Sequence, residues 1–364
     1  MPIFPTQVII EILTYLRPKS LTQLQLVCKE WRAIIHDQYF IEKHKDRAPV
    51  VCYWFNFVQT TGSLNNNSSD TDSVRVSYLH GLDGLVLLRI TNTQKIFIWN
   101  PATRGVLGLP DPHHDGNYGF TFSYVPATKD YRIVSVYKDK KYGRIYVEVF
   151  TPGHSETWRR LTFPENVNIN WHEEGKRVSV ISSGGAVHCL LTSEVGNVTF
   201  EEIVSLDIET ECFVVNYVPK GLFGDWTKVC ALDWDGKLGF ACVNGENLEV
   251  MELEDYRKQR WHGKKRVIHL PFMKINNNNE EDKISNLLPL FAKAGGIWFW
   301  LEGEKLCSYK METREITDLT QSQGFSVRSK LYPYKPSLVN IEGMQPEDPK
   351  LQKCRPGWLN QSLF

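Results

Sequence analysis

Residues 4–44 read FPTQVIIEILTYLRPKSLTQLQLVCKEWRAIIHDQYFIEKH, and this stretch decides the fold of the N-terminal part of the chain. Thr6, after Pro5, is predicted to cap a first helix, Pro18 to end it and Ser20 to cap the next. Apolar side chains recur between these signals at helical spacing, at Val8, Ile9, Ile12, Leu13 and Leu16 and then at Leu21, Leu24, Val27, Cys28, Trp31, Ile34 and Ile35. We therefore predict a three-helix module.

The apolar stripes of this module are wider than one short helix bundle can bury. A segment of about 40 residues rarely folds unaided, so its remaining apolar face needs a partner. Periodicity alone favours a different interpretation, in which the helices form a cap packed on the following domain. We expect Ile12 and Leu24 to lie in the interior of the module.

The composition limits the kind of partner. The chain has 364 residues, which favours two or three domains, and 42 basic residues balance 42 acidic ones. A net charge of zero argues against nucleic acid or an anionic membrane as the main partner. The most basic segment, residues 257–266, is interpreted as a solvated loop or strand edge. Neither a secretory leader pattern nor a run of about 20 apolar residues is recognisable, so we expect a cytosolic or nuclear protein.

Beyond about residue 50 the sequence changes to short runs of Val, Ile, Tyr, Phe and Trp separated by turn signals. Asp83-Gly84, Asp235-Gly236 and Asn244-Gly245 are predicted hairpin turns, because these residue types tolerate positive φ. Residues 59–72 and 276–282 are polar and of low complexity, which is typical of loops. The region after the helical module is therefore predicted to be all-β.

A strand–turn–strand unit repeats along this β region, beginning at Lys95, Val147, Val204, Glu249 and Leu306. The period is roughly 50 residues, as in kelch-like propeller blades, and stacked units bury sheet faces that one unit cannot. We predict a multi-domain α+β chain, with the helical module followed by a β-propeller-like domain of about five or six blades. A β-sandwich is the alternative. The predicted domain boundaries are 1–45 for the helical module, 46–340 for the β-propeller-like domain and 341–364 for a C-terminal tail.

Signatures of catalysis or metal binding are missing from the sequence. It contains no GxGxxG, GxxxxGK[ST], GxSxG or HExxH, and its eight cysteines include no CxxC pair. His113, His114 and Asp115 resemble a metal site only in composition, and a solvated loop is favoured. We predict no catalytic residue, metal or cofactor, although some enzymes use propellers and the fold alone leaves catalysis open.

Residues 4–44 resemble an F-box. The matching segments are Phe4-Pro5, Val8-Ile9, Glu11-Ile12-Leu13, Lys19-Ser20-Leu21, Val27-Cys28-Lys29, Trp31-Arg32 and Phe40. The chain departs from the family pattern where Phe4 replaces Leu, Gln7 replaces an acidic residue and Arg17 replaces Pro. The later sequence resembles the plant-type F-box-associated domain, through residues 81–88 (GLDGLVLL), 99–104 (WNPATR) and 334–339 (YKPSLV). A propeller of this kind is expected to close by pairing residues 50–57 with residues 331–339.

This resemblance implies a substrate-recognition subunit of an SCF-type ubiquitin ligase. The F-box would bind a Skp-type adaptor, and through it a cullin and a RING subunit, while the β domain would bind a protein substrate. The residues expected to form the combined core and adaptor surface are Phe4, Pro5, Val8, Ile9, Leu13, Leu16, Pro18, Leu21, Val27, Cys28, Trp31 and Ile35. Trp31 is the strongest candidate for a hot spot because of its area, and a purely structural role is the alternative.

Loops that join one predicted blade to the next are candidates for substrate recognition, since aromatic and charged residues on loops over a rigid scaffold suit binding. These residues are His113, His114, Asp115, Trp171, His172, Phe223, Asp225 and Trp226. Trp171 and Trp226 could equally pack the core. A binding module for peptides or glycans that acts without ligase assembly is the alternative function.

Overall fold

The computed structural model describes residues 4–48, 51–55, 76–90, 93–113, 119–138, 145–162, 176–193, 202–273, 287–301, 305–319 and 330–346. The chain divides into two compact units. The first unit comprises Met1–Asp115, Thr151–Trp158 and Ser329–Phe364, and the second comprises Gly116–Phe150 and Arg159–Arg328. Each unit is described by itself.

The first unit begins with four helices where the sequence predicts three: α1 (Thr6–Leu13), α2 (Pro18–Leu24), α3 (Lys29–His36) and α4 (Gln38–Arg47). Asp37 separates the last two, because its side chain accepts a hydrogen bond from the Phe40 backbone N–H and caps α4.

Three of the predicted helix signals lie at other positions than expected. Thr6 is the first residue of α1 rather than its cap, and Pro5 takes the cap position. Pro18 opens α2 rather than ending α1, and Ser20 lies inside α2. Proline is favoured in the first helical turn because the N–H that it lacks has no partner within the helix there. Pro18 is the first residue of α2 and thus begins this helix without the loss of a hydrogen bond.

The core of the four helices includes a residue from the far end of the chain. Leu13, Leu21, Ile34, Ile35 and Phe40 are buried together, and Leu338 is buried among them with 6% of its surface exposed. Segment 334–341, which we call the C-terminal strap, therefore supplies part of the helical core. The alternative prediction that the helices pack on the following domain agrees with this contact.

Within its described ranges, the first unit also contains two sheets. Strand β1 (Val51–Phe55) pairs antiparallel with β23 (Lys330–Tyr334), which confirms the predicted pairing of early and late strands. The second sheet, meander I, has the order β2 (Val76–Leu82), β3 (Leu85–Ile90), β4 (Ile96–Asn100), β5 (Gly105–Gly108) and β24 (Gln345–Pro346). Strand β24 lies at the start of the predicted C-terminal tail, and it extends this sheet by pairing with β5.

Asn100 joins meander I to the C-terminal strap. Its side chain is fully buried, and its Nδ2 donates to the backbone oxygens of Ser337 at 3.2 Å and Val339 at 2.7 Å. Its Oδ1 accepts from the backbone N–H groups of Ala102 and Thr103 and so caps the turn between β4 and β5. One amide group thus satisfies two buried carbonyls and a tight turn.

Among the residues that the structure describes, the second unit contains four antiparallel meanders with consecutive strand order, defined as follows. Meander II is β6 (Gly119–Val125), β7 (Asp130–Lys138), β8 (Ile145–Phe150) and β9 (Arg159–Leu161). Meander III is β10 (Lys176–Ser183), β11 (Ala186–Ser193), β12 (Glu202–Asp207) and β13 (Phe213–Tyr217). Meander IV is β14 (Val229–Trp234), β15 (Lys237–Asn244), β16 (Asn247–Asp255), β17 (Arg260–Trp261) and β18 (Arg266–His269). Meander V is β19 (Leu287–Lys293), β20 (Gly296–Leu301), β21 (Lys305–Lys310) and β22 (Glu315–Asp318).

Both β17 and β18 pair with β16, so meander IV has two short outer strands. First strands lie side by side in the second unit, with β10 beside β6 and β14, and β14 paired parallel with β19 at Trp234 and Ala292. Apolar cores fill the spaces between successive meanders, as between meanders II and III, III and IV, and IV and V. Helices followed by an all-β region of stacked meanders confirm the predicted fold class.

The predicted repeat corresponds to the third and fourth strands of each meander. Its turn chemistry recurs, because Asp207 and Asp255 end β12 and β16 and accept backbone hydrogen bonds in the same way as Asn100. The predicted hairpins at Gly84, Gly236 and Gly245 are also present, and all three glycines have positive φ. Local turn signals thus identified the repeat correctly.

Alanine at two turn glycines is expected to have different effects on stability. Gly84 and Gly185 have φ of 81° and 77°, so alanine is strained at both by about 1–2 kcal/mol. At Gly84 a Cβ would also lie 2.7 Å from the backbone N of Ser337 and 2.9 Å from the backbone O of Lys335, whereas at Gly185 it would meet no described atom within 4 Å. We expect Gly84→Ala to cost about 1–3 kcal/mol more than Gly185→Ala in urea unfolding. Equal losses would contradict this packing of the strap.

Candidate adaptor-binding face and recognition pocket

Helix α1 is apolar on two faces. Ile9, Leu13 and Leu16 face the helical core. Phe4, Val8, Ile12 and Tyr15 follow one another at intervals of four, four and three residues along α1 and its flanks, and their side chains are 63%, 40%, 56% and 74% exposed. This spacing places them on one side of a helix. A helix that leaves such a stripe in solvent presents an apolar surface to a partner.

A second group of exposed apolar side chains follows α2. Leu26 is 83% exposed and Val27 is 62% exposed. They lie just before Cys28, whose Sγ accepts a hydrogen bond from the Trp31 backbone N–H at 3.4 Å and caps α3. The cap fixes the direction in which the chain enters α3. We call Phe4, Val8, Ile12, Tyr15, Leu26 and Val27 the exposed F-box face.

The structure divides the predicted core and adaptor set into three groups. Leu13, Pro18, Leu21 and Ile35 are buried, and Leu13, Leu21 and Ile35 belong to the helical core; contact of these four residues with an adaptor stays a prediction. Ile9, Leu16 and Trp31 are half-buried and pack against that core. Phe4, Pro5, Val8, Val27 and Cys28 are exposed, and their contact with an adaptor remains a prediction.

The prediction that Ile12 lies in the interior is wrong, because Ile12 faces solvent on the exposed side of α1. Leu24 is half-buried against the helical core, near its predicted place. Tyr15 and Leu26 belong to the exposed face and were not among the predicted residues. The interval from Phe4 through Val8 and Ile12 to Tyr15 is a signal that could have identified this face from the sequence.

Ion pairs hold the helices in place. Glu11 on α1 binds Lys43 and Arg47 on α4, at 2.7 Å and 2.5 Å, and these hydrogen bonds keep the pKa of Glu11 below its usual value. Lys45 on α4 binds Asp83 in the first turn of meander I at 2.9 Å. Helix α4 therefore connects α1 to the sheet within the first unit.

The predicted substrate residues fall into different environments. His113 is exposed. Phe223 is 6% exposed and lies in the core between meanders III and IV, and its contact with a substrate stays a prediction. Trp226 is half-buried, with its ring edge-to-face against Phe223 at 5.2 Å and Phe240 at 5.9 Å. Its alternative role in packing is thus supported.

Asp225 is exposed, and its Oδ1 caps the next turn by accepting from the Thr227 backbone N–H at 3.0 Å. His114, Asp115, Trp171 and His172 lie outside the described residues.

A pocket of about 390 Å³ lies in the second unit, at the end of the meanders opposite to the loop that carries Phe223 and Asp225. It is formed by the turn after β10, the turn after β14 and the turn after β16, whereas Phe223 and Asp225 lie on a loop between meanders. In an antiparallel meander the first and third strands end on the same side. The lining residues are Ser183, Gly184, His188, Gly236, Lys237, Leu238, Leu253, Glu254, Asp255, Tyr256, Arg257 and Lys258.

Hydrogen bonds hold the wall of this pocket. The buried carboxylate of Asp207 accepts from the Tyr256 hydroxyl at 2.9 Å and from Arg257 Nε at 2.5 Å. Burial of Asp207 opposes ionisation, but the hydrogen bonds from Arg257, Thr210 and Tyr256 together lower its pKa to about 2. Asp207 thus holds the side chains of Tyr256 and Arg257, both of which line the pocket, in place.

His188 forms the inner wall. It is 1% exposed, its Nδ1 lies 2.8 Å from Ser205 Oγ, and its ring stands edge-on to Tyr256. Asn216 donates to the same hydroxyl at 3.0 Å. Desolvation lowers the pKa of His188 to about 4, against a hydrogen bond to the Ser183 backbone that acts in the opposite direction. His188 is therefore neutral near pH 7.

This shift predicts a dependence of stability on pH. The pKa of an unfolded histidine is 6.5, so between pH 6.5 and 4 the unfolded chain binds a proton that folded His188 does not. His188 therefore has no effect of this kind on the free energy of unfolding above pH 6.5. As the pH drops through this window, the free energy of unfolding falls, by about 2–3 kcal/mol at pH 4.5. In urea unfolding at pH 7 and 4.5, His188→Gln should reduce this difference. An unchanged difference in His188→Gln would contradict the assignment.

Within the described ranges, no three His, Cys, Asp or Glu side chains are grouped so that they could hold a metal ion. A search of the described helices finds none that is long and apolar enough to cross a membrane.

Comparisons with known proteins agree with the fold. Residues 39–289, more than half of the chain, match the F-box associated beta propeller domain, and residues 2–44 match the F-box-like family. Putative F-box protein At3g52320 of Arabidopsis thaliana is 22% identical over 76% of this chain and 75% of its own length. Putative F-box protein At3g10240 of the same plant is 25% identical over 80% and 78%.

Among solved structures, YCF48 bound to D1 peptide is similar with a TM-score of 0.37 and 9% identity, covering 76% of this chain and 81% of that one. A score of this size carries no weight for the function. The profile match over residues 39–289 is sufficient to place this chain in the family of proteins with an F-box associated β-propeller domain, with an F-box-like module at its N-terminus.

Proposed function

We propose that this chain is the substrate-recognition subunit of an SCF-type ubiquitin ligase. The F-box helices bind a Skp-type adaptor, which connects to a cullin and a RING subunit, and the β domain binds a protein substrate in the cytosol or the nucleus. The observation that carries this proposal is the exposed F-box face. Its side chains remain in solvent although the opposite side of α1 already packs a complete core.

The chain itself has a positioning role and is not the catalyst in this proposal. Ligase chemistry belongs to the other subunits, and the receptor raises the effective concentration of substrate lysines beside the charged ubiquitin carrier. Leu338 in the helical core and the Lys45–Asp83 ion pair join the F-box to the rest of the first unit.

The ligase role can be tested in plant cells that express either the wild type or Ile12→Asp/Leu26→Asp. Ile12 and Leu26 are 56% and 83% exposed, so charges there should leave the fold intact and disrupt an apolar interface. Proteins captured by the tagged chain are compared with proteins that gain ubiquitin-modified lysines. We expect both forms to capture the same proteins, and only the wild type to raise their ubiquitination.

Val267→Asp/Leu288→Asp is the matched control, because these exposed strand residues of the second unit lose similar apolar area and gain the same charge. It should behave as the wild type does. Capture of the same proteins without any difference in ubiquitination between wild type and Ile12→Asp/Leu26→Asp would favour the peptide- or glycan-binding module that acts without a ligase.

A further inference from the structure

The pocket between meanders III and IV is lined by a buried hydroxyl group, that of Ser183. Ser183 is 6% exposed, and its Oγ has no hydrogen-bond partner in the part of the chain that the structure describes. Buried polar groups are normally paired, since leaving one unpaired is destabilising. Because Ser183 lines the pocket, a polar ligand that enters there could supply the missing partner.

Three cationic side chains line the same pocket: Lys237 after the β14 turn, and Arg257 and Lys258 in the β16 turn. Lys237 Nζ lies 3.4 Å from Glu252, Arg257 Nε lies 2.5 Å from Asp207, and Lys258 Nζ lies 3.7 Å from Asp255. An ammonium group has three N–H donors and a guanidinium has five. Each cation therefore keeps donors beyond those that these contacts use.

The acidic side chains of the pocket are already engaged. Glu254 accepts from His262 Nδ1 at 2.7 Å and from Arg260 Nε at 3.1 Å. Asp255 Oδ1 accepts from the backbone N–H groups of Arg257 and Lys258, both at 3.1 Å. The pocket thus has more donors than acceptors, and it suits a ligand that carries several acceptor oxygens and negative charge.

We propose that this pocket binds a phosphate monoester, with Lys237, Arg257 and Lys258 contacting the phosphate oxygens and the Ser183 hydroxyl donating to one of them. A phosphate presents three strong acceptor oxygens and carries close to two negative charges at pH 7. A volume of about 390 Å³ is at the lower end of the range for ligand sites and holds a phosphate with its attached group. The role of this pocket as the substrate site of a ubiquitin-ligase receptor rests on the proposed function above. Its affinity for phosphate does not depend on that function.

The binding can be measured by calorimetric titration of the full chain with inorganic phosphate at constant ionic strength. We expect Lys237→Met/Lys258→Met to weaken binding by about tenfold or more, since two charge-assisted contacts are lost. Lys264→Met/Lys305→Met removes the same charge at two exposed lysines outside the pocket and should change the affinity less than twofold. Equal weakening in both double variants, or no binding by the wild type, would overturn the proposal.

Ser183→Ala separates a binding role from a structural one. Loss of a paired structural hydroxyl lowers the melting temperature, whereas loss of an unpaired buried hydroxyl does not. We expect this variant to bind phosphate about threefold to tenfold more weakly and to melt no lower than the wild type without phosphate. A lower melting temperature with unchanged affinity would contradict the assignment of Ser183.

The source of the phosphate is decided by two probes, a phosphoserine peptide library with its unphosphorylated counterparts and glucose 6-phosphate. Peptides that bind more tightly than inorganic phosphate and lose this advantage in Lys237→Met/Lys258→Met identify a phosphorylated protein. Tighter binding of the sugar phosphate alone identifies a small phosphorylated ligand, and binding of neither above inorganic phosphate would refute a monoester site. Adaptor binding by the same variant is measured separately, so failure of the pocket and failure of the receptor role are distinguishable.

Discussion

Replacing Leu338 with alanine is expected to lower the free energy of unfolding by about 2–5 kcal/mol. Leu338 belongs to the C-terminal strap, yet it is 6% exposed and packs among buried side chains of the four helices. Removing its isobutyl group leaves a cavity that rigid helices fill only in part. Because the cavity opens beneath the F-box, affinity for a Skp-type adaptor should fall together with stability.

Leu288→Ala provides the matched control for this experiment. Leu288 lies on β19 with 50% of its surface exposed, so the same substitution there removes a side chain from solvent and not from a core. We expect it to change the free energy of unfolding by less than about 0.5 kcal/mol. Similar small effects at positions 338 and 288 in urea unfolding would show that the strap does not complete the helical core.

Asn100→Asp is expected to be comparably severe, with a loss of about 3–5 kcal/mol. The aspartate keeps the oxygen that caps the turn through Ala102 and Thr103, but a second oxygen replaces the Nδ2 group. That oxygen would face the carbonyls of Ser337 and Val339 in a fully buried site. The substitution therefore isolates the contact with the strap from the cap of the turn.

The reverse exchange at the corresponding turn of meander IV is the control. Asp255 caps its own turn through the backbone N–H groups of Arg257 and Lys258, and it also forms an ion pair with Lys258 at 3.7 Å near the surface. Asp255→Asn should cost less than about 1 kcal/mol, because asparagine also caps turns. If Asn100→Asp and Asp255→Asn were equally mild, the donors of Asn100 would not secure the strap.

Local sequence signals were sufficient for the repeated part of the fold. Asn100, Asp207 and Asp255 each end a third strand and cap the turn that follows, which is chemistry readable within four residues. Positive φ at Gly84 and Gly236 likewise follows from the residue type. The strand–turn–strand units could therefore be predicted in the correct order along the chain.

Contacts between distant segments could not be predicted in this way. Leu338 has no neighbour in sequence that marks it as part of a helical core, since its partners lie about 300 residues earlier in the chain. The burial of Ile12 was predicted wrongly because α1 is apolar on both faces, so periodicity gives the helix but not the side that faces inward. Segments with a single apolar face do not have this ambiguity.

The pocket between meanders III and IV illustrates the same limit. Ser183, Lys237 and Tyr256 belong to three turns of two meanders, and only the packing of one sheet against the next brings them together. Substrate binding was predicted for the loops at the opposite end because they are longer and more aromatic. Phe223, on one of these loops, nevertheless belongs to the core. Composition of a loop alone does not distinguish a binding residue from a packing residue.

The most direct test of the receptor role is co-expression with a plant Skp-type adaptor, followed by size-exclusion chromatography. Wild type, Ile12→Asp/Leu26→Asp and Val267→Asp/Leu288→Asp are compared, all with the full chain. We expect a stoichiometric complex for the wild type and the control, and a folded but unbound chain for Ile12→Asp/Leu26→Asp. A monodisperse wild type that elutes apart from the adaptor would contradict the proposal that the exposed F-box face is an adaptor-binding surface.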